Sequence, residues 1–191
     1  CAEVDGVLQN LVLHESPVVR LHAIERIEAL RPEWGSRVVT DLIKRESDAT
    51  VLGRAARAAF IIDEERALSM IAPLFDDRRT DVRVGALSGA LLCGELEAVI
   101  SAGSRVMDWT KDNDPDMRET VARVIGEVGS SSFYRPLLPL LKDQSRIVQH
   151  AAIEAAGHVK RDQIVRALTP LLDKRSVRES VSQSLVRIGE P

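Results

Sequence analysis

The sequence predicts an all-α fold: an α-solenoid, or superhelix, of stacked antiparallel helix pairs with about 11 helices. Three observations predict it. The first is a helical stripe. From Val148, the positions four, eight and eleven later hold Ala152, Ala156 and Val159. At 100° per residue these fall within about 80° of one another on a helix, whereas a strand would send the eleventh to the opposite face. The second is recurrence. The same template is met from Val19, Val51, Val82, Met117 and Val177, at spacings of 32, 31, 35, 31 and 29 residues along the chain. The third is composition. Hydrophobic residues make up 45% of the 191 and aromatics only 3%, which suits helices packed closely over small side chains. One helix pair cannot hide its apolar stripe alone, so a period of this size implies that each pair covers the next.

The repeats follow in order. VDGVLQNLVLHE aligns with a second helix, so residues 3–15 read as a leading half-repeat. Full repeats cover about 16–46, 47–77, 78–112, 113–143 and 144–174, and a first helix at 175–189 closes the array. Residues 1–191 thus read as one repeat domain. It opens and closes on half a repeat, and Val7, Leu8, Leu11 and Val12 offer apolar surface where a stacked array needs a polar cap. A piece of a longer chain is the expectation. The chain begins with Cys1, as a lipid-anchored mature protein also does.

Within a repeat, the stripe starts lie near turn residues. Asp48, Asp81 and the Asp114–Asp116 turn precede or open first helices, where Asp can cap. Gly94, Gly129 and Gly189 stand at their ends, where a left-handed residue stops a helix. MRETVARVIGEVG from Met117 and VQHAAIEAAGHVK from Val148 each carry a Gly nine residues in. The column five after the stripe start alternates Ala with larger residues: Ile24, Ala56, Leu87, Ala122 and Ile153, broken by Ser182. The second helices end SMIAPLFDD, RPLLPLLKD, RALTPLLDK and RVVTDLIKR. Pro73, Pro139 and Pro170 share one column, with Asp41 as the exception. Proline inside a helix removes a hydrogen bond, so a bend in each repeat is expected. Arg20, Arg83, Arg118 and Arg178 share another column, broken by Leu52 and Gln149. They are expected to form a structural ladder with Asp48, Asp81 and Asp116, each exposed pair worth on the order of 0.2–1 kcal/mol.

DPDMRETVARVIG with LLKD, VQHAAIEAAG with LLDK, and VRVGALSGALLCG carry a family resemblance. The chain resembles the short HEAT-like repeats of the phycobilin-lyase type over essentially its whole length. The signatures of tetratricopeptide and ankyrin arrays are missing. The resemblance implies the solenoid fold. It also implies a context, bacterial multidomain proteins in which such arrays sit beside enzymes, transporters or sensing domains.

Chemistry is sparse in the sequence. His14, His22, His150 and His158 do not make the several His-Glu pairs of a HEAT-like di-iron site, since only His14-Glu15 occurs. No phosphate loop, nucleophile elbow, HExxH or CxxC is present. Cys1 and Cys93 have no identifiable base partner, and Cys93 reads as a buried thiol. No cofactor, metal or catalytic residue is expected. The net charge is −3. Residues 1–112 hold 14 basic against 19 acidic side chains, and residues 113–191 hold 12 against 10. Most of this surface opposes nucleic acid. Only Lys160 to Arg187 leans basic, with seven against three. No stretch reads as a membrane span or signal peptide, so a cytoplasmic protein, or the soluble domain of a membrane protein, is expected.

The reading is a non-catalytic protein-protein interaction or regulatory scaffold module. Its partner is a protein or another domain of the same chain. Candidate contact residues are Arg37, Thr40, Ser69, Arg135 and Arg166 on the second helices. Met107 and Trp109 join them, because the third repeat is four residues longer than the norm and its surplus is expected within ISAGSRVMDWTKDNDPD. The alternative is an enzyme: a bilin lyase-like tetrapyrrole-binding protein, or an alkylpurine DNA glycosylase-like one using Trp34, Trp109 and Tyr134 in a groove.

Overall fold

The computed structural model describes residues 2–189, with side chains from Gly6 onward. Cys1, and with it any lipid-anchor reading, lies outside the described residues. The described residues form twelve α-helices, three 3-10 segments and no strand. The helices are α1 (Ala2–Leu11), α2 (Pro17–Leu30), α3 (Gly35–Arg45), α4 (Ala49–Ile62), α5 (Glu64–Ile71), α6 (Thr80–Cys93), α7 (Leu96–Trp109), α8 (Pro115–Val128), α9 (Tyr134–Leu140), α10 (Arg146–Ala156), α11 (Asp162–Leu168) and α12 (Arg178–Gly189). The chain divides into two compact units, Cys1–Ala102 and Gly103–Pro191, with the boundary inside α7.

In the first unit α2 packs on α4 and α4 on α6, while α3 and α5 lie against α4. In the second, α8 packs on α10 and α10 on α12, and α9 lies beside α11. Within each unit first helices thus make one row and second helices another, the order of an α-solenoid. The predicted stripe supplies the seam. Ala23 and Ile27, Val51, Ala55 and Ala59, Val82, Ala86 and Ala90, Val121 and Ile125, and Val148, Ala152 and Ala156 are all buried. So are Ile24, Ala56, Leu87, Ala122 and Ile153 of the fifth column. Burying each larger aliphatic contributes about 2 kcal/mol. Leu30 departs from the stripe: it is the last residue of α2, before Arg31 turns left-handed at φ 45°, and is 56% exposed.

The recurring glycine nine residues into a stripe marks close approach. A Cβ on Gly126 would sit 3.1 Å from the Ala155 Cα of α10, and one on Gly157 3.3 Å from the Ser184 Cα of α12. Contact in the first unit is tighter. A Cβ on Gly85 of α6 would lie 2.0 Å from the Gly53 carbonyl oxygen of α4, and one on Gly89 2.8 Å from the Arg57 Cα.

The prolines act differently from the expected bend. α5 stops at Ile71 and continues as a 3-10 segment, Ala72–Asp76, that holds Pro73. α11 stops at Leu168 and continues as Thr169–Asp173, which holds Pro170. Pro139 lies inside α9, one residue from its end, and the following turn closes by bonds three residues back, Lys142 N–H to Pro139 and Asp143 N–H to Leu140. Proline lacks the N–H that an α-turn needs, so the tail tightens instead of kinking. Asp41 and Asp108 occupy the same column in α3 and α7, and those helices run unbroken for 11 and 14 residues. The surplus of the third repeat also enters α7, ahead of this column. Asp108 lies fifteen positions after Cys93, whereas Pro139 lies eleven after Val128. Trp109 therefore ends α7 in ordinary register and is not on an added turn.

Caps are partly as expected. Asp48 N-caps α4, accepting from the Thr50 and Val51 N–H groups at 3.0 Å, and Asp114 caps α8 through the Asp116 N–H. Asp81 is already inside α6, where it accepts from Thr50 Oγ1 at 3.2 Å. Gly129 alone of the three stop glycines is left-handed, at φ 61°. Gly94 is extended and Gly189 is helical.

Two arginines of the column, Arg20 and Arg118, take their carboxylate partner from the end of their own repeat and not from the turn aspartate of a neighbour. Arg20 grips Glu46 through Nε and Nη2 at 2.7 and 2.9 Å, and its Nη1 donates to the His14 and Glu15 carbonyls. Arg118 grips Asp143 in the same way, at 2.7 and 3.0 Å, with Nη1 on the Asp112 and Asn113 carbonyls. Arg83 Nη1 donates to the Asp77 carbonyl, and Arg178 Nε to that of Leu172. Burial alone would push the Glu46 carboxyl up. The Arg20 hydrogen bonds and two backbone N–H groups outweigh it and hold the group below the usual carboxylate range. Hydrogen bonds from Arg118 hold Asp143 below that range, against the opposing effect of burial.

The same acids organise the turns into the next repeat. The Glu46, Asp77, Asp112 and Asp143 carboxylates accept the N–H groups of Asp48, Arg79, Asp114 and Ser145 at 2.8–2.9 Å. Each of those four residues is the N-cap of the following first helix. The Asp of the LLKD tail thus fixes the start of the next stripe.

Candidate functional site

Register along the second helices decides what they show to solvent. In the first unit Val39 of α3 and Ile71 of α5 are buried, while Arg37 and Ser69, two residues earlier, and Asp41 and Pro73, two residues later, are exposed. In the second unit Val106, Leu137 and Leu168 are buried, with Ser104, Arg135 and Arg166 and then Asp108, Pro139 and Pro170 exposed. Both outward columns hold at the second helices of all five full repeats. A side chain there is free of the core, so its chemistry is set by contact with something else or by nothing at all.

Of the candidate contact residues, Arg37, Thr40 and Ser69 come together. They line a cavity of about 720 Å³ between α3 and α5 in the first unit. Glu33, Asp41, Lys44 and Arg66 surround them, and Met70 adds an apolar spot. Ser36 Oγ donates to Asp63 Oδ2 across the two helices, which fixes the floor. Arg37 and Lys44 lie on one face of α3, seven residues apart, with Glu33 in the turn just before it, so these neighbours were in principle readable from periodicity. Asp63 and Arg66 were not, because they come from the next repeat and reach the cavity only through the packing of α5 on α4. Glu64, Glu65, Glu95 and Glu97 line a further cavity of about 440 Å³ in the same unit.

The other candidates fall in the second unit. Arg135 and Arg166 are exposed at the outward column of α9 and α11. Met107 is 57% exposed on α7, and Trp109 is half-buried at its end. His150 and His158 line a cavity of about 920 Å³ between α8 and α10, with Glu119, Arg123, Glu127 and Glu154. No group of three or more His, Cys, Asp or Glu among the described residues is placed to hold a metal ion. His14 accepts from the Ser16 N–H, and Cys93 is half-buried at the end of α6. Trp34 sits at the start of α3 with a buried Nε1 that has no hydrogen-bond partner. No helix among the described residues is long and apolar enough to cross a membrane.

No protein-family model matches the chain, and no curated protein does. Solved structures of similar helical build include a designed armadillo repeat protein in complex with the peptide (KR)4, at 15% identity and TM-score 0.49, covering 95% of this chain and 98% of that one. An engineered protein is similar at 18% identity and TM-score 0.48, covering 95% and 96%. Human deoxyhypusine hydroxylase in complex with glycerol is similar at 15% identity and TM-score 0.43, covering 95% and 83%. Likenesses this distant say nothing of a site or a partner.

Proposed function

We propose that this chain is a non-catalytic protein-interaction or regulatory scaffold module, presenting the outward columns of its second helices to a protein partner or to another domain of its own chain. One observation carries the reading. The cavity between α3 and α5 gathers Arg37, Thr40 and Ser69 with charges of both signs and the apolar side chains of Val39, Ala59, Ala67 and Met70. Such a mixture orients a polypeptide through hydrogen bonds and a small apolar contact. Met107 and Trp109 are further anchors on this reading, since Met and aromatic side chains contribute strongly to association. The resemblance to short HEAT-like repeats of the phycobilin-lyase type supports a place in a bacterial multidomain protein, and we place the module in the cytoplasm.

A photo-crosslinking residue at Ser69, and a second at the exposed Ala29 on α2 as control, tests the proposal in cells. A discrete crosslinked protein from Ser69, absent from Ala29 and lost on Arg37→Glu, is the expected result. Equal labelling from both positions, or none from Ser69, overturns it. So does a chromophore shift on adding a free bilin, which would turn the reading to a lyase.

A further inference from the structure

Tyr134 opens α9, with Arg135 beside it, and Arg161 N-caps α11 in the next repeat. The Arg135 and Arg161 Cζ atoms lie 5.7 and 5.9 Å from the centroid of the Tyr134 ring. A ring face attracts a guanidinium, so one aromatic side chain draws two cations from successive repeats to one place. Each is also tethered by Nε. Arg135 donates to Tyr134 Oη at 3.1 Å, and Arg161 to the Ser131 carbonyl at 3.3 Å. The Nη groups of both arginines remain, on residues exposed to solvent.

Two other arginines of this unit meet acid: Arg118 is on Asp143 and Arg123 on Glu119. Arg135 and Arg161 have no carboxylate within ion-pair distance among the described residues, and Asp162, next in sequence, pairs with neither. Two positive charges are thus gathered at one ring with no internal counter-charge. Each offers a pair of N–H donors matched to the two oxygens of a carboxylate.

We propose that Tyr134, Arg135 and Arg161 form a docking site for an acidic segment of a partner protein, whose Glu or Asp side chains seat on the two guanidinium forks. Charge complementarity selects this occupant. A nucleic acid strand fits less well for two reasons. The net charge of −3 gives a polyanion little long-range attraction to the chain as a whole. The Tyr134 ring is already engaged by guanidinium groups and is not open for a base to stack. The site stands on residues of the second unit alone and does not depend on the cavity between α3 and α5.

The test is fluorescence anisotropy on the full chain with a labelled octapeptide of alternating Glu and Ser. Expected is binding that weakens as salt rises, and that falls about tenfold in Arg135→Gln/Arg161→Gln, as two exposed charge-assisted contacts warrant. Tyr134→Phe keeps the ring and most of the affinity. Circular dichroism on each variant shows that the fold persists. Failure of the wild-type chain to bind the peptide overturns the proposal, as does equal binding by the double variant. Equal binding of a Lys/Ser octapeptide, or tighter arginine-dependent binding of an oligothymidine of the same length, overturns it too, the last by assigning the site to nucleic acid.

Discussion

The two units solve one packing problem in two ways. In the second unit α8 meets α10 through Gly126 against Ala155, a contact where an added Cβ would stand 3.1 Å from the facing Cα. In the first unit α4 meets α6 backbone to backbone, and the same Cβ at Gly85 would stand 2.0 Å from a carbonyl oxygen. The first contact needs a shift of only a few tenths of an ångström; the second, against the backbone of Gly53, cannot be relieved without moving the helix. Nine consecutive residues of α6, Val82 to Ala90, are buried, so a shift there has no free side to take it up. The same repeat pattern thus tolerates slack in one unit and not in the other.

The largest expected effect breaks this contrast directly. Gly85→Ala should destabilise the chain by about 3 kcal/mol, as overpacking against backbone does. Gly126→Ala should stay within about 1 kcal/mol, because alanine's better helix propensity offsets the mild crowding. Urea denaturation of both variants decides it. Similar losses at the two positions would mean that the close α4–α6 approach has no energetic consequence.

Next in size are the paired acids, which both units share. Glu46→Gln and Asp143→Asn each leave a part-buried guanidinium without its charge partner and should lose about 1–2 kcal/mol at neutral pH. The folded carboxyls titrate below their unfolded values, so the native state binds fewer protons in that interval and stability rises with pH. Their contribution is complete above the unfolded carboxylate value and is lost as pH falls through the folded one. The variants should therefore show a flatter fall of stability on acidification than the wild-type chain. A parallel fall would place the acid sensitivity elsewhere.

The smallest effect concerns the column that holds Asp41, Pro73, Asp108, Pro139 and Pro170. Asp41→Pro should convert the end of α3 to a 3-10 turn like its counterparts. Its cost should be well below the roughly 3 kcal/mol of proline in a helix interior. Faster hydrogen exchange confined to the last turn of α3 is the expected signature.

Much of the fold was legible because a solenoid writes its core in a local code. The stripe from Val51 or Val148 names buried residues by spacing alone. What escaped was whatever depends on direction across a turn. The arginine column was visible, but an arginine at Arg118 can reach a turn acid of either repeat, and sequence spacing does not say that Asp143 wins. The proline column was visible too, yet a kink and a tightened tail share one signature. Of the candidate contact residues, Arg37, Thr40 and Ser69 were found by their columns and do line one cavity. Arg161 was missed, because nothing in the stripe links it to Tyr134 of the preceding repeat; the scarcity of aromatics was the one available pointer.

The acids that end the second helices have a consequence for how this chain loses structure. At Glu46 and Asp143 a single carboxylate holds an arginine of the helix behind it and the leading amide of the helix ahead. Fraying on one side of such a joint strips the other side of a hydrogen bond at the same moment. Neighbouring repeats should therefore melt in concert across these two joints, and a proteolytic nick in either turn should release both flanking helices where a simple linker would free only a loop.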